Sequence, residues 1–365
     1  MPEAGSPFSD SYAQARQKFL EAADDAGLPV EAKTHPLPGL AGETLAMDVA
    51  RDGHPSAQRL LILSSACHGV EGFCGSGVQV AALRDAGWRA RAAERGVAVL
   101  YIHALNPYGF SHIRRTTHEN VDLNRNFHDF GQPLPVNVDY RELHPLLVPG
   151  EWPPSAQNTQ ALAGYVARRG EKAYQAAVSG GQYEFPDGLF YGGRAPTWSN
   201  LALREVLRVH GRRAARIGWI DVHTGLGPSG FGERIFAGRD DPAAAARARA
   251  WWGGEGGKGL TSIYDGSSTS ALLTGLMFTS VYDECPQAEY TGMALEYGTV
   301  PVMETFQALR AEQWLRAHPE APAGLAAAIR KQVRAAFYTE TDAWREQVLA
   351  QAREALLQAV EGLGA

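Results

Sequence analysis

Cysteine is close to missing: the 365-residue chain has three, Cys67, Cys74 and Cys285. So sparse and odd a set builds no disulfide scaffold and fits a reducing compartment. Positive charge is also short, with 34 Lys and Arg against 40 Asp and Glu and a net charge of -6. That leaves no basic footprint for nucleic acid. No apolar run approaches the roughly 20 residues that cross a bilayer. The N-terminal stretch MPEAGSPFSDSYAQARQKF lacks the basic region and apolar core of a signal peptide. The expectation is a cytoplasmic protein with neither nucleic acid nor membrane as a partner, its oligomeric state left open. No internal repeat or long low-complexity tract is visible. Two glycine-rich stretches fail as phosphate loops. In WWGGEGGKGL, Gly259 follows Lys258 where a Ser or Thr should hold magnesium, and GFCGSG lacks the dinucleotide spacing.

What is present is apolar substance, 45% of residues, enough for one large domain or two small ones. The reading is a single domain over 1–365. RLLILSS (59–65) and VAVLYIHAL (97–105) are short continuous apolar runs, as in strands covered on both faces. GVQVAALRDAGWRARAAERG reads as one helix ending at Gly96. RIGWIDVHTG (216–225) and MALEYGT (293–299) add two strands. The order implies an α/β fold with a mixed, mainly parallel central sheet and helices on both faces. A Pro-, Gly- and Tyr-rich insertion at about 131–200 should carry a helix near 155–178. A helical C-terminal segment, about 303–365, should split near Pro319 and Pro322.

In such sheets sites form beyond the carboxyl ends of strands, and His68, Asn106, His223 and Glu296 all lie at or just past such ends. His68 and Glu71, three apart in a turn, can reach one metal, and imidazole with carboxylate suits zinc. A catalytic zinc needs a third protein ligand. His223, leaving the strand in WIDVHTGLG, offers one. Alone, H-x-x-E is more often a surface His beside a solvated Glu. Cys67 should face away from His68 as a small core residue, and His103, His112, His118 and His128 have no partners at telling spacings. Asp221 is open between a supporting carboxylate and a solvated edge charge.

HGVE, NPYGFSHIRRTTHENVDLNRNF, DVHTG and ALEYGT, in that order, resemble the zinc carboxypeptidase superfamily over roughly residues 55–315. The branch they look most like is an uncharacterised bacterial one, related to aspartoacylase and succinylglutamate desuccinylase. The resemblance implies one Zn2+ per chain on His68, Glu71 and His223. It implies Glu296 as general base and acid, and Asn124 with Arg125 as a clamp on a substrate carboxylate. Arg115 matches the arginine that stabilises the oxyanion, with Arg114 as the fallback. Asp122 matches a carboxylate that orients His68. The family's mobile tyrosine has three competitors, Tyr264, Tyr282 and Tyr290. Each residue has a structural rival: Arg125 could pair with Asp122 or Asp129, and Glu296 with a buried arginine.

The implied partner is a peptide or small molecule with a free carboxylate. Two activities share these residues: a metallocarboxypeptidase, and an amidohydrolase that deacylates N-acyl amino acids. A non-catalytic metal binder is the third class, and Glu296 argues against it, since a pure binder needs no general base. The glycines at 69, 72, 75 and 77 are expected to let the chain turn sharply and to leave room for metal and substrate.

Overall fold

The computed structural model describes residues 6–257 and 259–365, so Lys258 and the first five residues lie outside the described part. Eight strands make one mixed sheet: β1 (Val30–Thr34), β2 (Ala46–Asp52), β3 (Arg59–Ser64), β4 (Val97–His103), β5 (Arg216–Ser229), β6 (Gly232–Phe236), β7 (Leu260–Thr261) and β8 (Glu289–Gly298). Their order is β1-β2-β4-β3-β5-β8-β6-β7. The centre, β4-β3-β5-β8, is parallel, while β1, β2 and β6 join antiparallel.

The central strands are continuous apolar runs because alternate residues serve different cores. Leu61 and Leu63 of β3 enter one cluster, while Leu60 and Ile62 enter the other. The first is covered by long helices, including Gly72–Arg84 and Asp342–Gly364. The second lies under Trp198–His210 and Thr279–Glu284. No helix among the described residues is long and apolar enough to cross a membrane.

Several boundaries differ from the sequence reading. The helix read over 77–96 is two, Gly72–Arg84 and Ala86–Glu94, because Asp85 leaves helical geometry and its carboxylate caps Trp88 N–H. The insertion helix is broken into Ala156–Arg169 and Glu171–Ser179 at Gly170, whose φ of 85° ends the first. The C-terminal segment splits twice, into Val302–Ala317, Ala323–Phe337 and Asp342–Gly364.

The glycines after β3 act differently from the expectation. None of Gly69, Gly72, Gly75 and Gly77 has a positive φ; three of them are helical. They are small so that other segments can lie against them. A Cβ on Gly69 would fall inside the Gly109 backbone, and one on Gly72 inside the Phe110 ring. The sharp turn is made instead by Ala66, at φ 57°, a conformation that costs an alanine roughly 1–2 kcal/mol. It is held by backbone bonds from Leu105 N–H to Ser65 (3.0 Å) and Asn106 N–H to Ala66 (2.9 Å).

Gly69→Ala should therefore cost about 2 kcal/mol or more in chemical denaturation, because backbone must move to admit the methyl. Gly324→Ala, in a helix where nothing lies within 4 Å of the new atom, should be neutral or gain up to about 1 kcal/mol. Equal effects would show that close approach is not what Gly69 serves.

Candidate functional site

Beyond Ala66 the chain forms a single 3-10 turn, Gly69–Glu71, before the helix begins. The orphan donors of such a turn need partners. Gly69 N–H finds the Arg115 carbonyl at 3.1 Å and Val70 N–H the Arg114 carbonyl at 2.8 Å. That pairing draws the arginine segment alongside His68 and Glu71. Asn106 secures the other side, capping Pro107–Ser111 through Gly109 N–H and donating to the Arg115 carbonyl at 3.3 Å. The NP-x-G motif is thus a scaffold for the arginines.

His223 lies on β5 directly opposite Glu296 on β8. Neither is past a strand end, because β5 continues beyond a register shift after Thr224 and β8 runs on to Gly298. The two imidazoles face each other through Nδ1, 3.3 Å apart. Glu71 lies between them, with Oε1 2.9 Å from His68 Nδ1 and Oε2 3.1 Å from His223 Nδ1. The outer nitrogens are held by carboxylates: His68 Nε2 is 3.2 Å from Asp122 and His223 Nε2 is 2.6 Å from Asp221. Asp221 is itself fixed, accepting from the Ser64 hydroxyl, which accepts from Trp219 Nε1–H at 2.7 Å. Asp221 is thus a buried support for His223, not a solvated edge charge.

This pattern fits a metal. Protons on both Nε2 atoms, bonded to the aspartates, leave lone pairs on both Nδ1 atoms, aimed at one another and at a carboxylate. His68 carries one competing contact, Arg115 Nη2 at 2.7 Å from Nε2, which needs a lone pair where the Asp122 contact needs a proton. A cation held by Nδ1 would select the Asp122 arrangement, because it would take the lone pair there and leave the proton on Nε2. His68, Glu71 and His223, all buried, form one group whose ligand atoms lie within 4.8 Å of each other. Cys67 is a fully buried core residue as expected, and its sulfur also lies within reach of Asp221 and His223 as a second such group.

Charge points the same way. Glu71, Asp122, Asp221 and Glu296 face two guanidiniums, Arg115 and Arg125, and all but Arg115 are under 10% exposed. Four negative against two positive charges leaves an excess of two. Burial, then the Glu71 charge, pushes the Glu296 carboxyl up to about 8. Burial would lower the His223 pKa, but Asp221 and Glu71 hold it well above the ordinary value. Burial would raise Glu71, yet the His68 and His223 imidazoles keep it low. Without a metal, protons fill the place of the missing positive charge.

The remaining candidates divide. Arg115 donates to Asp122 at 2.9 Å and to Glu71 at 3.2 Å, over the Phe190 ring at 4.9 Å. Arg114 turns away to pair with Glu312 at 2.5 Å. Arg125 makes no ion pair among the described residues; its Nε and Nη2 donate to the Ser179 carbonyl and Nη1 to the carbonyl of its neighbour Asn124. The Nη1–Nη2 edge is left for a ligand. Asn124, which lines the cavity, accepts from Met277 N–H at 2.9 Å through Oδ1. Glu296 accepts from Leu226 N–H at 3.0 Å rather than pairing with an arginine. Of the tyrosines, Tyr264 donates to the Gly238 carbonyl and Tyr282 accepts from Arg239 N–H. Only Tyr290 lines the same cavity. Phe190, Ser179 and Trp219 were missed by sequence reasoning, and no local pattern announces them. Among the other histidines, His103 is buried against Ser76 at 2.9 Å, and His128 meets the Tyr183 hydroxyl at 2.6 Å.

The chain's course is similar to that of thrombin activatable fibrinolysis inhibitor, at 13% identity over 87% of this chain and 78% of that one, with a TM-score of 0.49. The bovine form of that inhibitor, solved in complex with tick carboxypeptidase inhibitor, gives 12% identity, 90% and 99% coverage and a TM-score of 0.48. A metallo-carboxypeptidase from Burkholderia cenocepacia gives 13% identity, 90% and 68% coverage and a TM-score of 0.42. No curated protein sequence matches the chain. Residues 8–351 match DUF2817, described as a protein of unknown function. The chain belongs to that family.

Proposed function

We propose that the chain is a zinc-dependent hydrolase that cuts an amide bond beside a free carboxylate, the zinc held by His68, Glu71 and His223. The observation that carries it is the convergence of three buried electron-pair donors inside a pocket with two excess negative charges. When bound, a zinc ion supplies Lewis acidity and makes water a nucleophile near neutral pH.

The chain's own groups supply the rest. Glu296 takes a proton from the attacking water and delivers it to the leaving nitrogen. One of its oxygens is held by Leu226 N–H, which leaves the other for that transfer. Arg115, fixed by Asp122, Glu71 and Phe190, faces the oxygen on which charge develops. Such a contact is commonly worth about 3–4 kcal/mol. The open edge of Arg125 and the amide nitrogen of Asn124 bind the carboxylate. C-terminal dipeptides and N-acyl amino acids both present an amide near a free acid, so both belong in the assay.

One zinc per chain is expected by metal analysis, with most of it gone from His223→Ala. Asp221→Asn should weaken zinc binding roughly 10–100-fold through His223 alone. Full zinc retention in His223→Ala would remove that residue from the site. Glu296→Gln should lose about a hundredfold or more in turnover with zinc content unchanged, and an intact rate would assign the base elsewhere.

The clamp is tested by blocking the substrate. Wild-type protein should cleave free-acid substrates far better than their amides, and Arg125→Ala should lose about 2–5 kcal/mol in kcat/KM on the free acid only. Equal cleavage of free and blocked substrates by the wild type would refute the clamp.

A further inference from the structure

The sheet ends in two edges, and they differ. β7 closes one side and is two residues long, too short to carry another ladder. β1 closes the other. It pairs with β2, and among the described residues no strand lies along its far edge. Three of its five residues are exposed. Such an edge presents a row of unpaired backbone donors and acceptors, a template for a further strand. Pro29 and Pro36 stand on either side. Neither has an N–H to donate, so a ladder formed here is confined to Val30–Thr34 and its near neighbours.

The strand sequence VEAKT matches itself when turned round. A two-fold axis through Ala32, perpendicular to the sheet, sets two copies of β1 antiparallel. Glu31 of each copy then stands opposite Lys33 of the other, and Val30 opposite Thr34. The small Ala32 side chains fall on the axis. Residues directly opposite project from the same face and interact, so this register gives opposite-charge pairs and β-branched pairs, each made twice. A slip of two residues either way sets Lys33 against Lys33 or Glu31 against Glu31, and like charges directly opposite are unfavourable.

The charged groups have capacity for the contact. The Lys33 ammonium lies 3.0 Å from Glu31 and 2.9 Å from Glu205 of its own chain. An ammonium has three donors, so one remains. The Glu31 side chain is 47% exposed and can accept from a second lysine. The helix Trp198–His210 brings Glu205 to this edge, and Leu201 and Val209 lie one turn to either side of it on the same stripe. They are 55% and 59% exposed. An axis perpendicular to the sheet keeps the two helices on one face of the joined sheet and brings their stripes towards each other.

We propose that β1 is a self-association edge, where two copies of the chain join antiparallel about Ala32. Glu31 meets the second copy's lysine, and Leu201 and Val209 are covered beside the joint. The inference is independent of the hydrolase reading.

Sedimentation of the full chain over a wide range of concentrations should show monomer giving way to dimer. Glu31→Lys and Lys33→Glu each set like charges opposite one another twice, and each should weaken the dimer roughly tenfold or more. Mixed in equal amounts, the two variants should associate again, because each copy then meets its opposite charges. Leu201→Glu leaves β1 untouched and places a charge where the stripes meet, so it too should weaken the dimer roughly tenfold. Thermal melting by circular dichroism checks that each variant is folded. A wild type that stays monomeric at the highest concentration overturns the proposal, and the charges then guard the edge instead. A dimer that either folded charge reversal leaves intact overturns it as well, as do variants that stay apart on mixing. Where a reversal does not fold, Leu201→Glu decides, and an unweakened dimer there refutes the joint.

Discussion

Two imidazole nitrogens and a carboxylate are pointed at one another in the wall of a buried pocket, and everything nearby is arranged to keep them so. Electron pairs repel, and burying four carboxylates against two guanidiniums is costly in a low-dielectric interior. Positive charge resolves both problems at once. The aspartates behind the imidazoles are what prevent relaxation, because each fixes its ring through the nitrogen that faces away. Asp221 is fixed in turn through Ser64 and Trp219, so the order reaches back into the sheet. Protons on His223 and Glu296 can supply that positive charge, since the pKa values of both lie above their ordinary range.

The candidate metal ligands were legible because they stand in or just after apolar strands. His68 follows β3 closely, and His223 and Glu296 sit in the two parallel strands most plainly marked by composition. β4 was legible for the same reason. The strands that went unread are of other kinds. β1, VEAKT, is an edge strand that pairs only with β2 and stays half-buried to exposed, so it shows no apolar run. β7 is two residues long. Arg114 and Arg115 are neighbours with the same side chain, and no local pattern separates them. A glutamate nearly two hundred residues later, Glu312, captures one and leaves the other. The glycines misled for a similar reason. Their role is set by Gly109 and Phe110, which pack against them from a later segment.

The arginine that faces the candidate carboxylate subsite shows how far support can come from backbone. Three of the Arg125 donors go to carbonyls, two of them to Ser179 at the end of an insertion helix. Burial lowers its pKa, Asp122 raises it, and Arg115 lowers it again. Its donor edge is therefore pre-oriented before any ligand arrives, and little rotamer freedom remains to be lost on binding.

Asn124 adds a thermodynamic tie. Its amide oxygen accepts from Met277 N–H and the residue lines the cavity, so in the proposed clamp one planar group would answer both to a loop and to a ligand. A carboxylate that orders the amide also orders the loop. By reciprocity, whatever free energy a ligand adds to the closed loop is the same amount by which a closed loop improves its affinity. Should Asn124 bind a ligand acid as proposed, the order of its amide and of the loop at Met277 would be thermodynamically linked, and a change at Met277 would be felt as altered affinity for a group it never touches.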